Sequence, residues 1–584
     1  MYELISYVLL KRRVQISLIV FIGVVLRLIC IPFFQGVDAD GTSRILIAER
    51  LIDSPEFFTH GVWLPLHHYL NAFAILLSGE HIISPVLVNI LLASFTSIPI
   101  FYFSEREFSY KGAWLAALLF VLSPVFFRNS FHALSGVPYA FFIAWSLNWL
   151  SLSLKLKSVK YAVLSGLMIT IASGIRYESW LVIALFTLVY CIKKSWSLMG
   201  FFWLVAMIFP SFWMIGNFIE NGDLFSGLTG AYDWNIGMEG INDSVSLIKK
   251  LKRLLYFPFS WFFMMSPFIC IPLFYIIITK FKARFWMNNK LIWLFLFIVI
   301  FMIFIYKSFV GTLLNQHRFT QSLILFSVPF TALLVDGFSK CKYSNFYLIG
   351  SAISILPLSY FWMIVPYEKA LVFSESLKIS VKEIRLTSLD TFNALPRLEN
   401  QGLLSLEKDI NSNLNISSGV VLDFESWENT FYLGAHSNVK NENLVILGGA
   451  KNEELDPSRI IDVLERTKQG VILLNKVSKF SEKYEVSGNQ LRFLSDKSFN
   501  LKLELIKRFD GIELFKYKYT QSRFIKGEDP IFSSFSSGSI QFMKLKIKQN
   551  SFWYRDIKYI ANINKTSIEK ELENAAQYQV NILR

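Results

Sequence analysis

Charge is scarce in this sequence. Of its 584 residues, 17% are Asp, Glu, Lys or Arg, against 53% hydrophobic and 16% aromatic, and the mean hydropathy is +0.43. This excludes an ordinary soluble protein of several domains, in which about a quarter of residues are charged. Cysteine is scarcer still. Cys30, Cys191 and Cys270 fall in apolar runs and Cys341 in a basic loop, with no metal-ligand spacing, and the long polar C-terminal part has none to build a disulfide framework. Walker, GxGxxG, HExxH, GxSxG and CxxC patterns are also missing, so nucleotide-driven transport and the usual hydrolase chemistries lose support. No internal repeat or long low-complexity tract stands out. No small-residue cleavage pattern follows Lys11-Arg12-Arg13, so that cluster and the apolar run behind it are expected to form a signal anchor.

Apolar runs of membrane length are abundant. A bilayer core of roughly 30 Å takes about 20 apolar residues per helix. On that criterion the chain offers about eleven candidate spans, near 14–34, 84–103, 112–127, 137–154, 161–175, 178–192, 197–219, 257–279, 291–309, 319–339 and 346–365. Basic residues accumulate in alternate loops: Lys11 to Arg13; Arg106 and Lys111; Lys155, Lys157 and Lys160; Lys193 and Lys194; Lys280, Lys282 and Arg284; Lys340 and Lys342. By the positive-inside rule these loops are cytoplasmic. The net charge of +14 thus lies in short loops and a polar tail, and no nucleic-acid partner is expected. The other loops, with everything after about residue 366, are expected outside: in the periplasm of a bacterial inner membrane, or in the lumen of a eukaryotic compartment.

After residue 366 the apolar runs shrink to strand length: GVVLDF at 419–424, NLVILGG at 443–449, GVILLN at 470–475, then LKLELIKRF and GIELFKYKY within 501–519. Pro457 to Gln469 reads as an amphipathic helix with Asp456 as its N-cap. The expected organisation is mainly α: a polytopic membrane helix bundle over 1–366, with amphipathic helices in its first outer loop. A small extracytoplasmic α/β domain follows over 367–584, with a core at about 412–520 and a short terminal helix at SIEKELENAAQYQV.

The chemistry-bearing residues gather at the expected outer ends of spans, where polar groups are expensive unless they face a cavity. GVDADGTSRILIAERL, immediately after the first span, carries Asp38, Asp40 and Arg44. Either aspartate could act as a general base, and Asp40 could equally cap a helix that starts near Gly41. Arg44, four residues on, shares a helical face with Asp40 and could orient the carboxylate, bind an anion, or form a surface ion pair. In WLPLHHYL, Trp63 and Tyr69 suit an interfacial aromatic belt. His67 and His68 are adjacent, a poor arrangement with His60 for chelating a metal, and are expected to hydrogen-bond substrate. Arg176 and Glu178 in GIRYESW could neutralise each other or present a guanidinium to phosphate. His317 and Arg318 in NQHRF, and Arg128 and His132 in RNSFH, occupy equivalent positions. Together they suggest an anion-binding vestibule.

The opening motif, GIRYESW and NQHRF together resemble the GT-C class of integral-membrane glycosyltransferases, which take a sugar from a polyprenyl-phosphate carrier. The resemblance covers roughly the first 366 residues. It implies Asp40 as the catalytic carboxylate, with Asp38 as its neighbour. It also implies substrate-binding roles for Arg44, His67, His68, Arg128, His132, Arg176, Glu178, His317 and Arg318. No counterpart of the oligosaccharyltransferase WWDYG motif is present, Ser426-Trp427-Glu428-Asn429 being too thin a match, and the Asp-Glu pair of protein O-mannosyltransferases is replaced by Asp38-Ala39-Asp40. The chain is thus most similar to the branch that transfers single sugars, including relatives of the aminoarabinose transferase. The implied partners are a polyprenyl-phosphate sugar donor, membrane lipid, and an acceptor that is protein, lipid or glycan. A divalent cation, Mg or Mn, on Asp38 and Asp40 is left open, although two carboxylates offer few ligands. A transporter or flippase for a lipid-linked or anionic substrate is the alternative; it would place ionisable groups near the midplane and interrupted helices in paired halves.

Overall fold

The computed structural model describes residues 2–355, apart from 32–38, 58–62, 240–246, 282–289, 339–346 and 349, and in the C-terminal part 401–415, 417–423, 433–434, 437, 439–446, 457–475, 484–487, 490–493, 500–509, 512–521, 567–570 and 572–573. The chain divides into two compact units, Met1–Ile416 with Ser426–Ala450, and Ser417–Glu425 with Lys451–Arg584. Asp38, His60, the cap at Asp456 and the expected domain boundary near 366 lie outside the described residues.

The first unit is a helix bundle. Its elements are α1 (Tyr2–Cys30), α2 (Ala39–Asp53), α3 (Leu66–Ser78), α4 (Ile83–Phe95), α5 (Ser97–Glu107), α6 (Ala113–Leu122), α7 (Pro124–Asn129), α8 (Gly136–Leu156), α9 (Val159–Ser173) and α10 (Glu178–Ile192). They continue with α11 (Trp196–Ala206), α12 (Ile208–Asn221), α13 (Ser226–Glu239), α14 (Leu247–Met264), α15 (Pro267–Phe281) and α16 (Lys290–Val310). A nearly continuous helical stretch from His317 to Gly337 follows, including α17 (Gln321–Ser327) and α18 (Ala332–Gly337). Five described helical stretches are long and apolar enough to cross a bilayer, or seven if each of two bent pairs is one span, and the protein is a multi-pass integral membrane protein. The expected spans at 112–127 and 257–279 are interrupted. Pro124, which has no N–H to continue a helix, opens α7 after α6. Ser266, at φ 67, turns the chain by 100° between α14 and α15.

Lipid removes the hydrophobic drive between helices, so close packing and interhelical hydrogen bonds hold a bundle together. Ser146 on α8 and Ser165 on α9 donate reciprocally to each other's carbonyl oxygens at 2.8 and 2.9 Å. A Cβ on Gly166 would fall 2.7 Å from the Phe202 carbonyl oxygen, so glycine sets the approach of α9 to α11. Large apolar side chains point outward along α11 and α12, among them Trp203, Leu204, Phe212 and Ile219, as expected where lipid is the solvent.

In the first unit, α19 (Gln401–Ser412) and strand β2 (Leu444–Ile446) complete the described elements. The second unit holds β1 (Gly419–Leu422), α20 (Pro457–Thr467), β3 (Gln469–Asn475), β4 (Tyr484–Ser487), β5 (Gln490–Phe493), β6 (Asn500–Phe509) and β7 (Ile512–Gln521). β1 and β3 pair in parallel across α20, and β3, β7 and β6 continue the sheet antiparallel. The apolar stripe of α20, Ile460, Val463 and Leu464, is buried as its spacing predicts. Where β1 starts against β3 the backbones nearly touch: a Cβ on Gly470 would sit 1.9 Å from the Gly419 carbonyl oxygen. The β4–β5 hairpin was not legible in the sequence pattern.

Candidate active site

Four segments distant in sequence converge: the first turn of α2, the start of α3, the bend between α9 and α10, and the residues after α16. Asp40 occupies the first turn of α2, and Arg318 Nη1 donates to its Oδ2 in an ion pair. A carboxylate in this position meets the positive end of the helix dipole. The side chains of Asp40 and Arg318 keep 20% and 24% of their surface exposed, so the pair remains open to an incoming group.

Arg176 and Glu178 form a second pair. Arg176 Nε lies 3.1 Å from both Glu178 carboxylate oxygens, Nη2 reaches Oε1 at 2.5 Å, and Nη1 donates to Ser135 Oγ at 3.3 Å. The opposite charges of GIRYESW are therefore paired, and Glu178 sets the direction of the guanidinium. Burial draws the Arg176 pKa down, but Glu178 and, further off, Asp40 more than offset it and hold the pKa above the usual arginine value. The Arg176 and Arg318 guanidinium carbons each stand 5.3 Å from the Phe319 ring centroid. One aromatic ring thus gathers both cations.

Arg44 and the two histidines form a third group beside these pairs. Leu66 N–H donates to Gly174 O at 3.0 Å, tying the start of α3 to the bend that carries Arg176. A Cβ on Gly174 would fall 2.3 Å from Leu66 Cδ1. His67, next in line, is completely buried, and its Nδ1 lies 3.4 Å from Arg44 Nη1. A guanidinium can only donate, so Nδ1 accepts and the imidazole proton resides on Nε2. Burial first, then the positive charge of Arg44 and the fields of His68 and Arg176, push the His67 pKa well below its ordinary value, so the ring is neutral. The Arg44 guanidinium lies 4.3 Å from the Trp63 ring centroid, and the buried His68 ring lies 5.9 Å from the same indole. The interfacial tryptophan is thus part of the site's wall. His67 Nε2 and, one turn later on the same face, the buried Asn71 Nδ2 have no hydrogen-bond partner among the described residues.

The remaining candidates sit at the edge. His317 Nδ1 lies 3.1 Å from the Tyr256 hydroxyl, with the rings stacked at 5.7 Å. α7, which ends in the exposed Arg128, packs on the turn holding His317 and Arg318. His132 contributes its carbonyl, which accepts from Asn89 Nδ2 at 2.7 Å. Asp40, Arg176, Glu178 and Arg318 are thus brought together, with Arg44, His67 and His68 alongside. No group of three His, Cys, Asp or Glu side chains arranged to hold a metal occurs among the described residues.

Sequence reasoning missed Asn71, Ser135, Phe319 and Arg253. Arg253 Nε and Nη2 donate to the carbonyls of Ser308 and Leu313 at 2.7 and 3.0 Å, and Ser308 Oγ lies 2.7 Å from Asn315 Oδ1. This network fixes the segment that delivers Arg318. Asn71 alone had a signal, its four-residue spacing from His67.

No protein-family model matches the sequence, and no curated protein sequence matches it. Among solved structures the chain is similar to ArnT from Cupriavidus metallidurans bound to undecaprenyl phosphate, with a TM-score of 0.54 and 12% sequence identity, over 86% of this chain and 97% of that one. A weaker similarity, with a TM-score of 0.42 and 12% identity, links it to the archaeal oligosaccharyltransferase AglB from Archaeoglobus fulgidus in complex with an inhibitory peptide and a dolichol-phosphate, over 79% of this chain and 69% of that one. The chain thus shares the fold of ArnT.

Proposed function

We propose that the protein is a glycosyltransferase that moves a sugar from a polyprenyl-phosphate carrier to an acceptor on the extracytoplasmic face of a membrane, with residues 1–366 as the catalytic domain. The observation that carries this reading is the Asp40–Arg318 pair beside Arg176, a carboxylate and two guanidiniums assembled on a fold shared with a protein that binds undecaprenyl phosphate. A carboxylate for the acceptor and cations for the leaving phosphate are what this chemistry demands.

In this mechanism Asp40 accepts the proton of the acceptor nucleophile, which attacks the anomeric carbon from the face opposite the phosphate. The bond from the anomeric carbon to the phosphate oxygen breaks, and its electron pair leaves with the polyprenyl phosphate. Arg318 hands its hydrogen bond from Asp40 to that phosphate as Asp40 becomes protonated, so the cation follows the negative charge. Arg176, held in direction by Glu178 and Ser135, supplies a fixed positive field. Preorganised donors of this kind are worth about 3 kcal/mol each in the transition state. His67 Nε2–H and Asn71 Nδ2, both buried donors, face acceptor oxygens of the bound sugar or phosphate. The prenyl chain lies between helices, in contact with lipid.

The test is binding by the full-length protein in nanodiscs, comparing undecaprenyl phosphate with undecaprenol. The phosphate is expected to bind at least tenfold more tightly, the equivalent of about 1.4 kcal/mol, and Arg318→Gln to remove most of that preference. Equal binding of phosphate and alcohol by the wild type would contradict the proposal.

A further inference from the structure

α1 shows several apolar side chains to lipid, with Leu18, Phe21, Leu26 and Ile29 all exposed, yet Arg27 in its last turn has no exposed surface at all. An arginine near the end of a span ordinarily snorkels its charge to the interface. Arg27 turns inward instead. Its Nε donates to Ser130 Oγ at 3.1 Å, Nη1 to Gly23 O at 3.1 Å and Nη2 to Val121 O at 2.9 Å, with the guanidinium 5.1 Å from the Phe127 ring centroid. No carboxylate pairs with it among the described residues, so neutral acceptors alone hold a buried charge. Burying a charge with no counter-ion is costly.

Two of the partners bracket α7. The break at Ser123–Pro124 deprives carbonyls in the last turn of α6 of helical donors, and Arg27 caps the one on Val121. At the other end Ser130 Oγ donates to Phe127 O at 2.6 Å while accepting from Arg27. Gly23 lets α1 come close enough, since a Cβ there would meet Val121 Cγ1 at 2.9 Å. One planar fork therefore pins both ends of the six-residue helix that ends in Arg128 and Asn129. Asn129 Nδ2 reaches Gln321 Oε1 at 3.3 Å, and five residues beyond Ser130, Ser135 accepts from Arg176.

We propose that Arg27 is a positioning residue: it fixes the Ser123–Gly136 turn so that Arg128 points at the substrate phosphate and Ser135 steadies Arg176. The substrate part of this rests on the glycosyl-transfer reading above. Lysine keeps the charge but cannot bridge both ends of α7, because it offers one compact ammonium in place of a planar fork.

The test uses the full-length protein in nanodiscs with undecaprenyl phosphate as probe. Arg27→Lys is expected to weaken binding roughly tenfold or more, as a displaced contact group does. In an Arg128→Gln background the same change should weaken it by a clearly smaller factor, because one of the two groups that Arg27 positions is already gone. Equal losses in both backgrounds would overturn the proposal. Hydrogen exchange of the same proteins gives a readout that needs no ligand: amides of 124–136 should exchange faster in Arg27→Lys, with those of α9 and α10 unchanged. Unchanged exchange in 124–136 would overturn the positioning role. If wild type fails to prefer undecaprenyl phosphate over undecaprenol, the transferase reading falls and the exchange result alone decides the role of Arg27. Should Arg27→Lys not fold, Ser130→Ala, which removes one acceptor, must show the same local rise in exchange, and its absence would refute the proposal.

Discussion

His67 offers a perturbation whose size can be worked from the structure. The ring is buried, neutral and hydrogen-bonded through Nδ1 to a guanidinium. Protonation would turn that acceptor into a donor facing another donor, beside the charges of Arg44 and Arg176. The folded-state pKa is depressed below the unfolded value of about 6.5. The contribution of His67 is therefore fully present above that pH and is lost as pH falls below it, because the unfolded chain takes up a proton that the folded chain refuses. If the ring stays neutral in the fold down to pH 5, the loss between pH 7 and pH 5 is about 2 kcal/mol. His67→Gln keeps an acceptor for Arg44 and removes the titration. Chemical denaturation of both proteins at pH 7 and pH 5 isolates the effect, since all other titrating groups cancel in the difference. Wild type should lose more than His67→Gln over that interval, by up to about 2 kcal/mol. Identical losses would show that His67 is protonated in the fold or lies open to water, and would remove the neutral donor assigned to Nε2.

Two other perturbations address the frame of the site. Gly174→Ala would drive a methyl to 2.3 Å from Leu66 Cδ1 and 2.9 Å from Phe209 Cε2, and overpacking of that kind costs about 1–3 kcal/mol; a lower denaturation midpoint with weaker undecaprenyl phosphate binding is expected, and an unchanged midpoint would contradict the tight seat of α3. Reporter fusions in the loop between α3 and α4 and within the second unit should both read extracytoplasmic, as the basic alternate loops require, and a cytoplasmic signal from either would overturn the assigned face.

Elements set by local periodicity were legible in the sequence. α8, α10 and α16 coincide closely with apolar runs, and β3, β6, β7 and α20 match their patterns within a few residues. The interruptions at Ser123 and Ser266 were harder to read, because an apolar run looks the same whether a helix continues or bends. In the site, Arg176 and Glu178 were legible as neighbours because they stand only two positions apart. Arg44 was grouped with Asp40 by helical spacing, and its contacts with His67 and Trp63 came from the fold around the start of α3. Contacts such as Arg318 with Asp40, or Arg27 with Ser130, join residues more than a hundred positions apart. No single-sequence pattern encodes those pairings, and Arg27 in particular reads as an ordinary basic residue near the end of a span.

The central claim is that Asp40 serves as the base for sugar transfer from a polyprenyl-phosphate donor. The most direct measurement compares wild type with Asp40→Asn in membranes supplied with polyprenyl-phosphate-linked sugars, at equal protein level and with undecaprenyl phosphate binding checked in parallel. Asparagine preserves the shape of the side chain and an oxygen for Arg318 but cannot take the acceptor's proton. Transfer should fall by about 10²–10⁴-fold, the usual contribution of a positioned general base, while the lipid phosphate still binds. Wild-type transfer rates in Asp40→Asn would contradict the account.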